Sequence, residues 1–173
     1  VGVDCPIVRH SRQINNAMPS YAVNEALRAC RRNPSKTKRL EDYVVGLLGL
    51  AFRGGVSDTR LSPTYQVIDE LFRKGIKNLR VHDPLVLRDP ILSEYEGVIL
   101  SNDLTGSLKG ADLVIIVADH PEYSNLILDA SGNAIVYDGR GILATSNLPE
   151  ANLVSIGVGK EKSRSFQTQE PNT

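Results

Sequence analysis

The stretch Tyr43–Phe52 constrains this chain more than any other part of it. Ten consecutive hydrophobic or glycine residues are followed by the polar, glycine-bearing segment Arg53–Arg60 and then by Ser62-Pro63. An apolar run of this length, with no polar alternation, predicts a central parallel strand covered on both faces. Ser62 is a candidate helix N-cap and Pro63 suits the first helical position, so an amphipathic helix is expected to about Lys74, with Gly75 as its stop. A strand, a glycine loop and a helix in that order form the start of an α/β unit.

The same alternation continues downstream. Leu79–His82 reads as a second strand ending at Asp83-Pro84, and Ser107–Gly110 as the end of a short helix. Asp112–Ala118 follows as a third strand, Ile135–Tyr137 as a fourth closed by Asp138-Gly139-Arg140, and Leu153–Ile156 as a fifth. Strands separated by helix-length segments imply parallel crossovers. The expected fold is a Rossmann-like α/β domain with a doubly wound parallel sheet, over residues 40–158.

Ahead of it, Pro6 to about Arg32 reads as one long helix with an apolar stripe containing Ile7, Ile14, Met18, Tyr21, Ala22, Ala26 and Ala29. Pro19 is expected to kink it or divide it into two pieces. The basic segment Arg31–Arg39 is expected to be a solvated linker, closing a helix-and-linker unit at residues 1–39. Residues 159–173 are rich in Lys, Ser, Gln, Glu and Pro, a composition that predicts a mobile tail.

Composition narrows the functional classes. Lys+Arg and Asp+Glu both total 20, so no whole-chain field draws the protein to nucleic acid or an anionic membrane. No apolar run reaches the ~18 residues of a bilayer span. Cys5 and Cys30 show no metal or redox spacing and fall outside the expected core, which fits a reducing cytoplasm; no metal site is expected. The absence of an initiator Met and of a signal sequence suggests a piece of a longer protein.

In an open α/β sheet, ligands bind beyond the carboxyl ends of the strands. Arg53 and Arg60 lie in such a loop before a helix N-terminus, a plausible grip for phosphate oxygens, and Arg140 follows another strand end. The loop lacks the Gly-x-Gly-x-x-Gly fingerprint, so it does not predict a standard dinucleotide site. Each arginine also admits a plain surface salt bridge, and Asp58 and Arg60 are close enough in sequence to pair. Asp83 fits either a turn-shaping carboxyl or a ribose reader, the first more readily. His10, His82 and His120 lie on different elements without metal spacing.

The motifs Gly49-Leu50-Ala51-Phe52-Arg53, Ser57-Asp58-Thr59-Arg60-Leu61-Ser62-Pro63, Val81-His82-Asp83-Pro84 and Tyr137-Asp138-Gly139-Arg140 are in the order found in the UDP-glucose/UDP-N-acetylmannosamine 6-dehydrogenases. Over about residues 1–158 the chain resembles their C-terminal UDP-binding domain, and Asn15-Asn16-Ala17-Met18-Pro19-Ser20-Tyr21 resembles their central dimerisation helix. The resemblance implies an NAD-dependent oxidation of a UDP-sugar C6 alcohol to a carboxylate, through a cysteine thiohemiacetal. It also implies a homodimer formed through the long helix. Phe52, Arg53 and Arg140 match substrate contacts, and Arg60 matches an arginine that closes over NAD. Arg53 stands where lysine is commoner, exchanging a point donor for a planar fork. Gly54-Gly55 replaces bulkier residues, so a more flexible loop is expected.

The family's Gly-Gly-x-Cys-x-Pro-Lys-Asp segment is absent, and Cys5, in Val-Asp-Cys-Pro-Ile, does not match it. No catalytic residue is therefore expected in these 173 residues, and the chain alone should be inactive. The N-acetylhexosamine branch is preferred over glucose. A free-standing nucleotide sensor and a purely structural dimerisation domain are the competing readings.

Overall fold

A computed structural model describes residues 5–128, 133–143 and 152–155. Among these residues six parallel strands form one sheet: β1 (Val44–Leu48), β2 (Asn78–His82), β3 (Val98–Ser101), β4 (Leu113–Ile116), β5 (Ile135–Asp138) and β6 (Leu153–Ser155). Their spatial order is β3-β2-β1-β4-β5-β6. The chain works outward from β1 to one edge, returns to β4 beside β1, and works outward to the other. The strand order therefore reverses between β1 and β4, where Leu48 is in register with Ile116. This is the place where an open α/β sheet leaves a crevice for a ligand.

The expected α/β architecture is present, with one strand more than the sequence indicated. The additional strand is β3, which is four residues long, lies at an edge and keeps Ile99 exposed, so it lacks the continuous apolar run of its buried neighbours. β1 is shorter than Tyr43–Phe52 because Gly49, at φ 99°, ends it. A Cβ on Gly49 would lie 2.4 Å from that of Ala118, so glycine also permits β1 and the end of β4 to converge.

Successive residues of the inner strands serve opposite layers, as the strand period requires. Leu113, Ile115, Ile135 and Tyr137 pack with α1 (Pro6–Arg32) and α2 (Pro63–Arg73), while Val114, Ile116 and Val136 pack with Tyr123 and Leu126 of the opposite layer. Leu104 and Leu108 of the short α3 (Leu104–Leu108) join that second layer. The α2 boundaries match their sequence signals: the Ser62 side chain accepts from Thr64 N–H at 3.1 Å, Pro63 is first, and Gly75 adopts φ 86° after the last turn.

α1 is one continuous helix through Pro19, not two pieces. Proline costs it one hydrogen bond, but Pro19, Val23, Ala26, Leu27 and Cys30 are all buried, and this packing holds the helix together. Cys30 thus belongs to the core, contrary to the sequence expectation, and burial pushes its thiol pKa up to about 11. The linker is also more than solvated chain. Lys36 Nζ and Lys38 Nζ reach Asp112 at 3.5 and 2.9 Å, and the Lys36 side chain is only 5% exposed. The expected mobile tail at 159–173 lies outside the described residues. Among the described residues, no helix is long and apolar enough to cross a membrane.

Candidate functional site at the strand-order reversal

The loop after β1 lies at the reversal and is fastened from both sides. Asp83, fully buried at the end of β2, accepts from Leu50 and Ala51 N–H through Oδ2, both at 2.8 Å. Its Oδ1 accepts from Leu85 and Val86 N–H at 2.9 and 3.0 Å. Of the two readings the sequence allowed for Asp83, the structure bears out the turn-shaping one. Four backbone donors use the carboxyl, and no part of it is exposed to reach a ribose.

From the other side, the segment after β4 supplies two more acceptors. Asp119 Oδ1 accepts from Gly54 N–H at 3.0 Å, and His120 Nδ1 from Gly55 N–H at 3.4 Å. A Cβ on Gly54 would lie 2.1 Å from the Asp119 carbonyl oxygen, so only glycine permits this approach. The two glycines that suggested a flexible loop are instead its attachment points. Between the two fastenings, Phe52 and Arg53 are exposed. The far end is tied as well: Thr59 Oγ1 and Tyr65 Oη both donate to Asp89 Oδ2, at 2.9 and 2.8 Å.

Beneath this loop lies a buried polar group that sequence spacing did not reveal. With Nδ1 accepting from Gly55, His120 carries its proton on Nε2, which faces Asp83 Oδ2 at 3.3 Å outside hydrogen-bond geometry. His120 and His82 each make an edge contact with the Tyr123 ring. The Tyr123 Oη lies 2.9 Å from His82 Nδ1, and burial pushes its pKa well above the ordinary range. His82 Nε2 donates to the Asn102 carbonyl at 3.3 Å; burial holds the pKa of this imidazole down, against the nearby Glu122. Two of the three histidines are therefore brought together, although no group of three metal-ligating side chains occurs among the described residues.

Asp138, at the end of β5, accepts from Arg140 and Gly141 N–H through Oδ1 and from Leu143 N–H through Oδ2. The resulting turn aims Arg140 back across β4, where its Nη2 donates to Asp119 Oδ1 at 3.2 Å. Asp119 thereby links Arg140 to the loop that carries Arg53. The Gly54 N–H contributes most to holding the Asp119 pKa below the usual carboxyl range; desolvation opposes it, and Arg140 adds to it.

Arg60 is engaged elsewhere. Its Nε and Nη2 grip Asp58 at 2.9 and 2.7 Å, the pairing left open by the sequence, and Arg60 holds the Asp58 pKa down at about 2. Phe52, Asp58, Arg60 and Leu61 line a concavity of about 450 Å3. Leu61 is 91% exposed at φ 58°, the one positive φ of a non-glycine among the described residues. The roles of Leu61, Asp119 and the His82–Tyr123–His120 group have no counterpart among the sequence expectations. For Asp119 the usable signal was its place immediately after a strand.

Residues 46–145, more than half of the chain, match the UDP-binding domain of the UDP-glucose/GDP-mannose dehydrogenase family. The chain belongs to this family. It is 30% identical over 164 residues to UDP-N-acetyl-D-mannosamine dehydrogenase of Pyrococcus horikoshii, covering 91% of this chain and 34% of that protein. The structure of NDP-N-acetyl-D-galactosaminuronic acid dehydrogenase from Methanosarcina mazei matches at 27% identity with a TM-score of 0.73, over 90% of this chain and 32% of that one. A UDP-glucose dehydrogenase from Pyrobaculum islandicum matches at 26% identity and a TM-score of 0.67, over 88% of this chain and 34% of that one. This family member spans about a third of the length of the relatives it matches, and its similarity is to their UDP-binding part.

Proposed function

We propose that this chain provides the UDP-sugar half-site of an NAD-dependent nucleotide-sugar 6-dehydrogenase. The observation that carries the reading is the linked pair of arginine-bearing loops at the strand-order reversal. Gly54, next to Arg53, and Arg140 share the Asp119 carboxyl, with exposed Phe52 alongside. Arg53 and Arg140 would hold diphosphate oxygens by charge-assisted hydrogen bonds, and Phe52 would offer a ring to the uridine or sugar. The names of the relatives favour an N-acetylhexosamine as the sugar.

The loop after β1 does not suit NAD. It lacks the glycine fingerprint, and the amides of Leu50, Ala51, Gly54 and Gly55 are occupied by protein side chains, leaving no ready cradle for a pyrophosphate. In this reading the dinucleotide site and the cysteine nucleophile belong to a segment outside these 173 residues. Arg60 is the contact offered to the cofactor from this side, once released from Asp58. The cytoplasm is the compartment that suits such chemistry.

The front half of α1 supports a homodimer. Ile7, Ile14 and Tyr21, seven residues apart, are 79%, 67% and 52% exposed along one stripe. A second copy would cover them by helix packing. Residues 1–39 would then act as helix and connector, and 40–158 as the nucleotide-binding domain.

Titration calorimetry with UDP tests the half-site. Binding by the wild-type chain, at least tenfold weakened in R140A and in R53A, is expected, with no NADH formed from UDP-sugar and NAD. Nucleotide-independent heats, or turnover by this chain alone, would refute the assignment. Sedimentation of wild type and I14E tests the dimer, the variant being expected as a monomer.

A further inference from the structure

The two arms of the half-site come from different strands, so something must fix their separation. β4 lies between β1 and β5 in the sheet, and Asp119 follows β4. A single oxygen, Asp119 Oδ1, accepts from Gly54 N–H at 3.0 Å on one side and from Arg140 Nη2 at 3.2 Å on the other. The close approach of Gly54 to the Asp119 backbone prevents the first of these segments from sliding. Among the described residues, the Arg140 guanidinium uses one N–H group in this contact, and it has five to offer.

We propose that Asp119 is a positioning residue that sets the Arg53 loop and Arg140 at the spacing needed to grip a nucleoside diphosphate. This rests on the UDP half-site reading above. Charge alone predicts the opposite sign, because a carboxylate beside a diphosphate repels it. That repulsion is weak here: the Asp119 side chain is 45% exposed and its charge is answered by an amide and a guanidinium. Preorganising two donors on separate loops removes an ordering cost from binding and therefore dominates.

Calorimetry on the 173-residue chain separates the alternatives, with UDP and phosphate-free uridine as probes. D119A is expected to weaken UDP about tenfold and to leave uridine within about twofold. D119N, whose Oδ1 still accepts from Gly54, should fall between D119A and wild type. D119A should cost less affinity in the R140A background than in wild type, since one of its two contacts is already lost there. D119A binding UDP as tightly as wild type or more tightly, while R140A weakens it, overturns the positioning role and leaves the half-site intact. Equal weakening of uridine and UDP overturns it too, because the effect would then be general. A wild-type chain that binds no UDP overturns the half-site reading and this inference with it.

Discussion

The two ends of the sheet each carry a buried aspartate with a different set of partners. At the carboxyl end, Asp83 is fed by four backbone N–H groups, with the His120 ring facing it. At the amino end, Asp112 takes one backbone N–H, from Val44 at 3.1 Å, and is otherwise answered by Lys36 and Lys38. Burial works to raise the Asp112 pKa, but the Lys38 hydrogen bond, the Val44 N–H and the charges of both lysines outweigh it and hold the pKa down. An aspartate fed by amides dictates backbone shape, because its donors cannot move without the chain. One fed by lysines ties down a connector whose long side chains can adapt. The shape-determining type lies under the candidate site, and the adaptable type lies where α1 joins the domain.

The contrast predicts unequal losses. D83A, which orphans four backbone donors, should cost about 3–5 kcal/mol in denaturant unfolding and abolish UDP binding. G54A should follow, at about 1–3 kcal/mol from overpacking against Asp119, with UDP affinity falling more than stability. D112A should cost less than D83A, about 2–3 kcal/mol, since one amide and the buried Lys36 ammonium lose their partner while Lys38 is half exposed, and it should leave UDP affinity unchanged. Equal losses for D83A and D112A in parallel urea titrations would erase the distinction.

The smallest expected effect is a pH dependence confined to the carboxyl end. The folded-state pKa of His82 is depressed by burial, so between that value and about 6.5 the unfolded chain binds the extra proton. The stability held above about pH 6.5 should be lost as pH falls toward the folded-state value. Unfolding followed from pH 8 to pH 5 should show this slope in wild type and a flatter one in H82Q, while D112A keeps the wild-type slope.

Much of the fold was legible because its signals are local. The unbroken apolar runs marked β1 and β4, and Ser62-Pro63 and Gly75 marked both ends of α2. β3 was not legible, since an edge strand needs no two-sided apolar run, and Cys30 gave no sign of burial until α1 was seen against the sheet. Arg53 and Arg140 could be picked out as candidates beside glycines at strand ends. Asp119 stood in an equivalent place, but one carboxyl after a strand has no meaning until its donors are known. They come from Gly54 and Arg140, 65 and 21 residues away.

The sequence by itself determined the succession of strands and helices and the residues that follow each strand, because periodicity, capping and turn chemistry act over a few residues. Tertiary structure alone decided that β4 returns beside β1, and hence that the loops carrying Arg53, Asp119 and Arg140 meet. Strand order, and with it the Asp119–Arg140 contact, depends on which distant segments bury each other, a global balance that no local pattern encodes.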